Sequence, residues 1–417
     1  MRIALTSVLV LAAAACSPKT VEPDIAPATA VETAAELHER LLVLDTHLDT
    51  PANFSKPDFD IMADNPSVLG SVQVDLPKMQ RGGLDGGFWV IFTPQGPVDE
   101  ESYAAAKQAA LTRSDEIQAM VAAHPDSFEL AYTTLDAARI AASGKRIVFQ
   151  SMENAYPIGT DLSLVEEFYN RGLRMIGPVH FRDNQFADSA TDLSAGDFGG
   201  LSPLGEELVK EANRLGMILD GSHAADSTVD DMIALSKTPL ILSHTGVKAV
   251  YDHPRNIDDA LMRKIADDGG VIQINAYSGY LEQLEPTPER QAALDALTAE
   301  FDGVSPLTAD DETRARYFAR MDEIDAAFTP PLSTFEKFME HLLHALEVVG
   351  ADHVGMGADW DGGGGVTGME DVSFLPKVTE RLLAEGYSEA DIQKFWSGNM
   401  LRLLEQAEAA KQPPKAE

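Results

Sequence analysis

The chain has 417 residues, of which 44% are hydrophobic and 24% are charged, and its formal net charge is −35 at pH 7. This length suffices for one large α/β domain or for two smaller ones. The excess of acidic residues argues against nucleic acid or an anionic membrane surface as a partner, because both are bound through clustered Lys and Arg.

The first sixteen residues, MRIALTSVLVLAAAAC, combine one basic residue, an apolar run and small residues before Cys16. The run is too short to span a bilayer and is typical of a signal peptide, here over 1–15. Cys16 is the only cysteine, which excludes an intrachain disulfide and a thiolate metal cluster. Its position resembles that of the lipidated cysteine of bacterial lipoproteins, although Ala13 stands where such signals usually carry Leu. We therefore expect export to the bacterial cell envelope, either anchored on the periplasmic side through Cys16 or secreted, with a flexible tether over 16–34.

Beyond the tether, short apolar runs alternate with amphipathic segments. The runs are apolar almost throughout, as expected for strands buried on both faces of a parallel sheet. Eight runs occur, at 41–45, 86–92, 146–152, 174–179, 216–222, 239–244, 269–275 and 352–357. The segment 202–216, which ends at Gly216, is typical of the intervening helices. A further helix is predicted over 333–350, with Ser333 as its N-cap.

Eight strand–helix repeats predict an α/β fold of the TIM-like (β/α)8 barrel type, which usually has about 250 residues and can exceed 400 with insertions. An open, doubly wound sheet is the alternative, but no Gly-rich phosphate-binding turn follows the first run. We expect a single domain over 35–410 and a tail over 411–417. The longest insertion, over 281–331, has a helical pattern and joins the seventh run to the eighth.

A histidine or an acidic residue follows six of the eight runs. These residues are His47, Asp49, Glu153, His180, His223, His244, Asp359 and Asp361. The C-terminal ends of the strands build the active site of a TIM barrel, so these side chains are predicted to converge. Taken singly, each is as readily a core or loop residue, and Asp361 is interpreted as a loop residue. Their joint placement is what indicates a site.

Imidazoles and carboxylates without a thiolate suit zinc or another borderline divalent ion. The set is large enough for two ions, with Glu153 as a candidate bridge. Two ions about 3.5–4 Å apart share a hydroxide and polarise a carbonyl group. The pattern therefore predicts metal-dependent hydrolysis and says little about the substrate.

Several longer segments carry a resemblance to a known family. They are DTHLD (45–49), QVDLPKMQRGGLDGGFWVIF (73–92), LSPLGEELVKEANRLGMILDGSH (201–223), SHTGVKAVYDHPRN (243–256) and GADHVGMGADWDG (350–362). In this order they are similar to the motifs of the membrane (renal) dipeptidases, which are amidohydrolase-type metallopeptidases. The resemblance runs from about Leu41 to Leu404. It implies a zinc-dependent dipeptidase with two Zn²⁺ per chain and a metal-bridging hydroxide, and it suggests a homodimer.

The resemblance also implies a set of metal ligands. His47 and Asp49 would bind one ion, His223 and His244 the other, and Glu153 would bridge the two.

The same resemblance implies roles towards a dipeptide substrate. His180 would hold the substrate carbonyl and stabilise the oxyanion, and Arg255 would pair with the C-terminal carboxylate. Asp359 would take a proton from the attacking water and pass it to the leaving amine. Tyr277 would contact the substrate carboxylate.

The sequence departs from the family pattern after Glu153, where NAYP (154–157) replaces a glycine-rich turn, and at Leu48, where relatives carry Asn. The first departure predicts a bulkier wall on that side of the site. Two alternatives stay open. One is another binuclear metallohydrolase of the same barrel type, acting on a lactone, a phosphoester or a non-peptide amide. The other is a non-catalytic, peptide-binding lipoprotein. The preferred dipeptides and their stereochemistry are also left open.

Overall fold

The computed structural model describes residues 33–67, 72–192, 196–303 and 311–413. Cys16, the predicted signal peptide and nearly all of the predicted tether lie outside the described residues, as does 414–417. Within these ranges, no helix combines the length and the apolar character that crossing a membrane requires.

Parallel strands form the centre of the fold. The described residues contain β1 (Leu44–Leu48), β2 (Gly86–Phe92), β3 (Phe128–Leu130), β4 (Arg146–Glu153), β5 (Leu173–Ile176), β6 (Ile218–Leu219), β7 (Ile241–Thr245), β8 (Val271–Ile274) and β9 (Val354–Met356). One sheet has the order β1-β2-β4-β5-β6, with β3 paired to β4, and a second has the order β7-β8-β9. Every strand pair is parallel. The predicted α/β fold with a parallel, curled sheet is confirmed, and each of the eight apolar runs overlaps a strand.

Single bridges connect the edges of the two sheets. Asp220, directly after β6, pairs in parallel with Ile241 of β7, and Leu48 of β1 pairs in parallel with Trp360, shortly after β9. The strands also share an apolar interior near their N-terminal ends. One buried cluster contains Leu44, Phe88, Ile147, Phe149, Met175, Ile218, Ile241 and Val271, together with side chains of the C-terminal helix. The opposite, C-terminal ends of the same strands are therefore free to carry polar groups.

Helices follow most of the strands. They are α1 (Ala34–Arg40), α2 (Leu76–Gly82), α3 (Glu100–Ala123), α4 (Thr134–Ala142), α5 (Ser163–Arg171), α6 (Pro203–Leu215), α7 (Asp226–Leu235), α8 (Asp259–Asp267), α9 (Ser278–Leu281), α10 (Pro288–Glu300), α11 (Asp311–Ala327), α12 (Phe335–Val349), α13 (Pro376–Ala384), α14 (Glu389–Gln393) and α15 (Asn399–Ala410). A π-helical turn, Lys394–Gly398, joins the last two. Between β8 and β9, α10 and α11 pack on each other around Leu297, Phe301 and Ile324.

The ends of two helices test the predicted caps. In α6 the hydroxyl of Ser202 accepts the N–H of Gly205 at 3.0 Å, and Gly216 ends the helix with φ 76°, a left-handed conformation that glycine adopts without strain. The predicted N-cap of α12 was wrong by one residue. Thr334 caps that helix, because the hydroxyl of Ser333 donates instead to Glu282 Oε1 at 2.6 Å.

Candidate metal centre

The predicted site residues lie at the C-terminal ends of five strands. His47 and His244 are within β1 and β7, and Glu153 is the last residue of β4. His180 and His223 each follow a strand by four residues, and all five side chains are largely buried. Strand geometry explains the convergence, because the C-terminal ends of parallel strands meet at one edge of the sheet.

The carboxylate of Glu153 lies at the centre of the histidines. Its Oε1 is 3.1 Å from His223 Nε2, 3.4 Å from His244 Nε2 and 3.7 Å from His180 Nε2. The Nε2 atoms of His223 and His244 are 3.0 Å apart. The second carboxylate oxygen of Glu153, Oε2, is 3.6 Å from His47 Nε2. The two carboxylate oxygens therefore face different sets of nitrogen atoms.

A second group of donors lies beside His47. Asp49 Oδ2 is 3.4 Å from His47 Nε2, and Asp359 completes a set of three residues whose potential ligand atoms all lie within 4.8 Å of one another. Two further sets of this kind, one with His47 and His244 and one with His180 and His223, share Glu153.

These distances fit a metal centre. Donor atoms bonded at about 2.0–2.1 Å to a tetrahedral ion are about 3.3 Å apart, close to the separations among Glu153, His223 and His244. His47 Nε2 is buried and has no hydrogen-bond partner among the described residues, although two carboxylate oxygens lie close to it. A lone pair on this nitrogen would face lone pairs on those oxygens, and a cation between them, either a proton or a metal ion, would turn this repulsion into attraction.

Burial and nearby charges together control the protonation of the histidines. It lowers the pKa of His223 well below its usual value, and the charge of Arg255 lowers that pKa further. Burial likewise lowers the pKa of His244, with the charge of His47 as the next cause. Both imidazoles are thereby held in the neutral form that metal binding requires. Burial also lowers the pKa of His47, but the charges of Glu153 and Asp49 outweigh it and raise that pKa well above its usual value.

Asp359 differs from the other carboxylates of the site. Burial raises the pKa of Asp359 well above its usual value, and the nearby charges of Asp49 and Glu153 contribute in the same direction. A carboxylate whose pKa is raised holds an accepted proton more readily, as a general base requires.

The backbone at the site is unusual. Five non-glycine residues of the described ranges have positive φ, and four of them are Asn154, His223, Asp359 and Asp361, with φ between 66° and 68°. Non-glycine residues adopt this conformation rarely and at a cost, and such residues concentrate at functional sites. Here the turns at the strand ends direct side chains towards a common centre.

The metal candidates border a cavity of about 570 Å³. Tyr277 lines it, as does Asp361, which the sequence assigned to a loop. Sequence reasoning also missed Tyr280 and Arg113, because no strand-end signal marks a tyrosine in a short helix or an arginine within α3.

The expectation of a bulkier wall after Glu153 was wrong. Asn154 and Tyr156 are buried, and the hydroxyl of Tyr156 donates to the carbonyl of Pro97 at 2.7 Å. The apolar part of the cavity wall, as far as the structure describes it, instead includes Phe92 and Phe181.

Arg255 is a buried cation that does not itself line this cavity but contacts two residues that do, His244 and Tyr280. Only 4% of the residue is exposed, and it forms no ion pair with any described carboxylate. Its Nη2 donates to the carbonyl of His244 at 2.7 Å, while its Nε has no partner in the described part of the chain. The guanidinium carbon lies 5.6 Å from the ring centroid of Tyr280. A buried charge of this kind is costly unless a ligand supplies the anion.

Parallel strands that end on neutral imidazoles around a shared carboxylate define a metal-dependent hydrolase of the α/β class. The chain belongs to the membrane dipeptidase family, peptidase family M19, whose sequence profile matches residues 31–417. The resemblance seen in the sequence is confirmed, and the protein is a hydrolase of peptide bonds.

Relatives and solved structures agree with this assignment. The chain is 28% identical over 340 residues to dipeptidase tcpJ of Claviceps purpurea (strain 20.1), spanning 80% of this chain and 69% of that protein. The probable dipeptidase PvdM from Pseudomonas aeruginosa is 33% identical, with a TM-score of 0.80 over 90% of this chain and 98% of that one. A metallopeptidase from Rhodobacter sphaeroides, liganded with a phosphinate mimic of the dipeptide L-Ala-D-Ala, is 26% identical with a TM-score of 0.68, over 88% and 99% of the two chains.

Proposed function

We propose that this protein is a dipeptidase that works with two zinc ions. The observation that carries the proposal is the position of Glu153, whose Oε1 faces His223 and His244 while its Oε2 faces His47. In this proposal His47 and Asp49 would hold one ion, His223 and His244 would hold the other, and Glu153 would be a ligand of both ions. Zinc at these positions would supply Lewis acidity and would lower the pKa of a water molecule towards neutrality.

The remaining residues bind the dipeptide and move protons. Arg255 pairs with the free C-terminal carboxylate, since it is a buried guanidinium without a described anionic partner, and Tyr277 contacts the same group. Burial lowers the pKa of His180, so this residue is neutral and donates an N–H to the substrate carbonyl oxygen as negative charge develops there. Asp359 accepts a proton from the attacking water and transfers it to the leaving amine.

The proposal includes a closed barrel. The bridges Asp220–Ile241 and Leu48–Trp360, together with the shared apolar interior, support one (β/α)8 barrel over 35–410 in which α10 and α11 form an insertion before the last strand. A closed barrel would hold the donors from β1, β4 and β7 at fixed mutual distances.

We further propose that the protein is exported and anchored through Cys16. A Cys16→Ser variant should move from the membrane fraction to the soluble periplasmic or secreted fraction, and equal fractionation of both proteins would remove the anchor from the proposal. Size-exclusion chromatography with light scattering on the purified protein tests whether it forms a homodimer.

Chelation and metal replacement test the enzyme itself. Protein stripped with a chelator should lose hydrolysis of dipeptides and regain it with zinc, and metal analysis should give close to two zinc ions per chain. His47→Ala should lower the zinc content, whereas His124→Ala, which changes a partly exposed histidine outside the cluster, should not. Full activity without metal would overturn the proposal. Faster turnover of lactones or phosphotriesters than of any dipeptide would favour the alternative hydrolase.

A further inference from the structure

A single hydroxyl group lies between histidines that we assign to different metal ions. Ser243 Oγ is 2.9 Å from His244 Nδ1 and 3.4 Å from His47 Nδ1. The same oxygen is 2.5 Å from Asp220 Oδ2. Ser243 is completely buried, and the two histidines and Asp220 are exposed by 3% or less.

The direction of each hydrogen bond follows from the donors present. Asp220 acts as an acceptor, because its Oδ1 receives the backbone N–H groups of Ser222 and Ser243, each at 2.9 Å. Ser243 therefore gives its one hydroxyl proton to Asp220 Oδ2 and has only lone pairs left for other neighbours. The hydroxyl of Ser222, whose Oγ is 3.3 Å away, is a further potential donor to these lone pairs, and an Nδ1 that hydrogen-bonds to Ser243 Oγ carries a proton and donates it.

A proton on Nδ1 leaves the other ring nitrogen, Nε2, with a free lone pair. In both His47 and His244 the Nε2 atom is the one that points to Glu153. The hydroxyl thus selects the tautomer that presents a lone pair to a metal ion and holds the ring in the orientation that aims it.

We propose that Ser243, held by Asp220, is a positioning residue for both metal positions at once. The inference rests on the proposed two-zinc function and adds to it that one hydroxyl fixes a ligand of each ion. Loss of that hydroxyl should therefore weaken both sites together.

His223 provides a contrast within the same site. Its Nδ1 is buried and has no hydrogen-bond partner among the described residues. The tautomer of His223 is therefore not set by a direct contact with Ser243, and a change at Ser243 reaches His223 only through His244, whose Nε2 lies 3.0 Å from His223 Nε2.

The tautomers can be measured without metal. In metal-free protein with ¹⁵N-labelled histidine, ring ¹⁵N shifts should report a dominant Nδ1–H form for His244 in the wild type. The same measurement on Ser243→Ala should show a mixture of tautomers at His244. Identical tautomer populations in the wild type and in Ser243→Ala would overturn the proposal, however many zinc ions the wild type binds.

Zinc affinity supplies the second measurement. Competition with a chromophoric chelator should show two sites in the wild type, and both should be about 10–100-fold weaker in Ser243→Ala. The matched control is Ser151→Ala, which removes another buried serine hydroxyl, one that makes no hydrogen bond within the described residues, and it should keep both affinities. If only one of the two sites weakens, or neither does, the shared role of Ser243 is wrong.

A low number of zinc sites in the wild type and a failure of Ser243→Ala to fold have different consequences for the proposal. Fewer than two sites in the wild type would count against the proposed two-zinc function, while the tautomer experiment would still decide the role of Ser243. If Ser243→Ala does not fold, Asp220→Asn replaces it, and it should weaken both sites because the amide no longer holds the hydroxyl with a full negative charge; two wild-type affinities in that variant would overturn the inference.

Discussion

Replacing Arg255 by Ala tests the substrate side of the site. The guanidinium is 4% exposed, donates to the carbonyl of His244 and has no described carboxylate within ion-pair distance. A desolvated pair between this cation and the C-terminal carboxylate of a dipeptide should make its truncation cost about 2–5 kcal/mol of transition-state binding. This corresponds to a loss of kcat/KM by a factor of about 30 to 5,000. The folded protein without substrate should lose little stability, since the variant removes an uncompensated buried charge.

The assay is a cycle of two enzymes and two substrates. Wild type and Arg255→Ala are compared on a dipeptide with a free C-terminus and on the same dipeptide as its C-terminal amide. The large loss should appear only with the free acid. Arg113→Ala is the control, because Arg113 lines the cavity but is already paired with Glu116 at 2.9 Å, and it should discriminate little between the two substrates. An equal loss on both substrates after Arg255→Ala would mean that Arg255 acts through the backbone of His244 and does not bind the carboxylate.

Three further outcomes are expected. Asp359→Asn should lower kcat about 10²–10⁴-fold with KM and zinc content near wild type, because the amide keeps the shape of the side chain but accepts no proton; an unchanged kcat would exclude the proposed proton transfer. Burial raises the pKa of Asp361 to about 7, so this residue should contribute a loss of up to about 4 kcal/mol of stability in the metal-free protein as the pH rises from about 4 through 7; urea unfolding of Asp361→Asn, whose side chain still accepts the N–H of Gln73, should show a loss smaller by that amount. The charges of Glu153 and Asp49, acting against burial, raise the pKa of His47, so zinc must displace a proton; apparent zinc affinity should fall as the pH is lowered, and calorimetry in two buffers that detects no proton release near pH 7 would contradict this.

The sequence predicted the strands better than their partners and ends. Each apolar run marks a strand because burial on both faces demands an apolar sequence whatever the neighbouring strands are. The sequence did not predict the three-residue β3, because Phe128–Leu130 is too short to show a hydrophobic pattern. Ser333 and Thr334 are adjacent and equally able to cap a helix, and only the position of Glu282, distant in the sequence, decides between them.

The convergence of the site residues was predictable because strand ends in a parallel sheet share an edge, and this needs only the order of the elements. The consequences of packing were not. The sequence around Arg255 does not show that this residue has no ion-pair partner among the described residues. The segment NAYP does not show that Tyr156 packs against Tyr103, so that Phe92 and Phe181 line the cavity instead. These properties depend on which distant side chains fill the space around a residue.

The site itself opposes the stability of the metal-free fold. His223 and Asp359 adopt positive φ without being glycine, and the charges of Asp49 and Glu153 repel the buried carboxylate of Asp359. Each of these features costs free energy that packing elsewhere must offset. Such local conflicts are retained where a ligand relieves them, and a cation among these donors would remove the electrostatic part. Metal binding should therefore stabilise the fold as well as supply the chemistry, by an amount that grows with the logarithm of the free metal concentration above its dissociation constant.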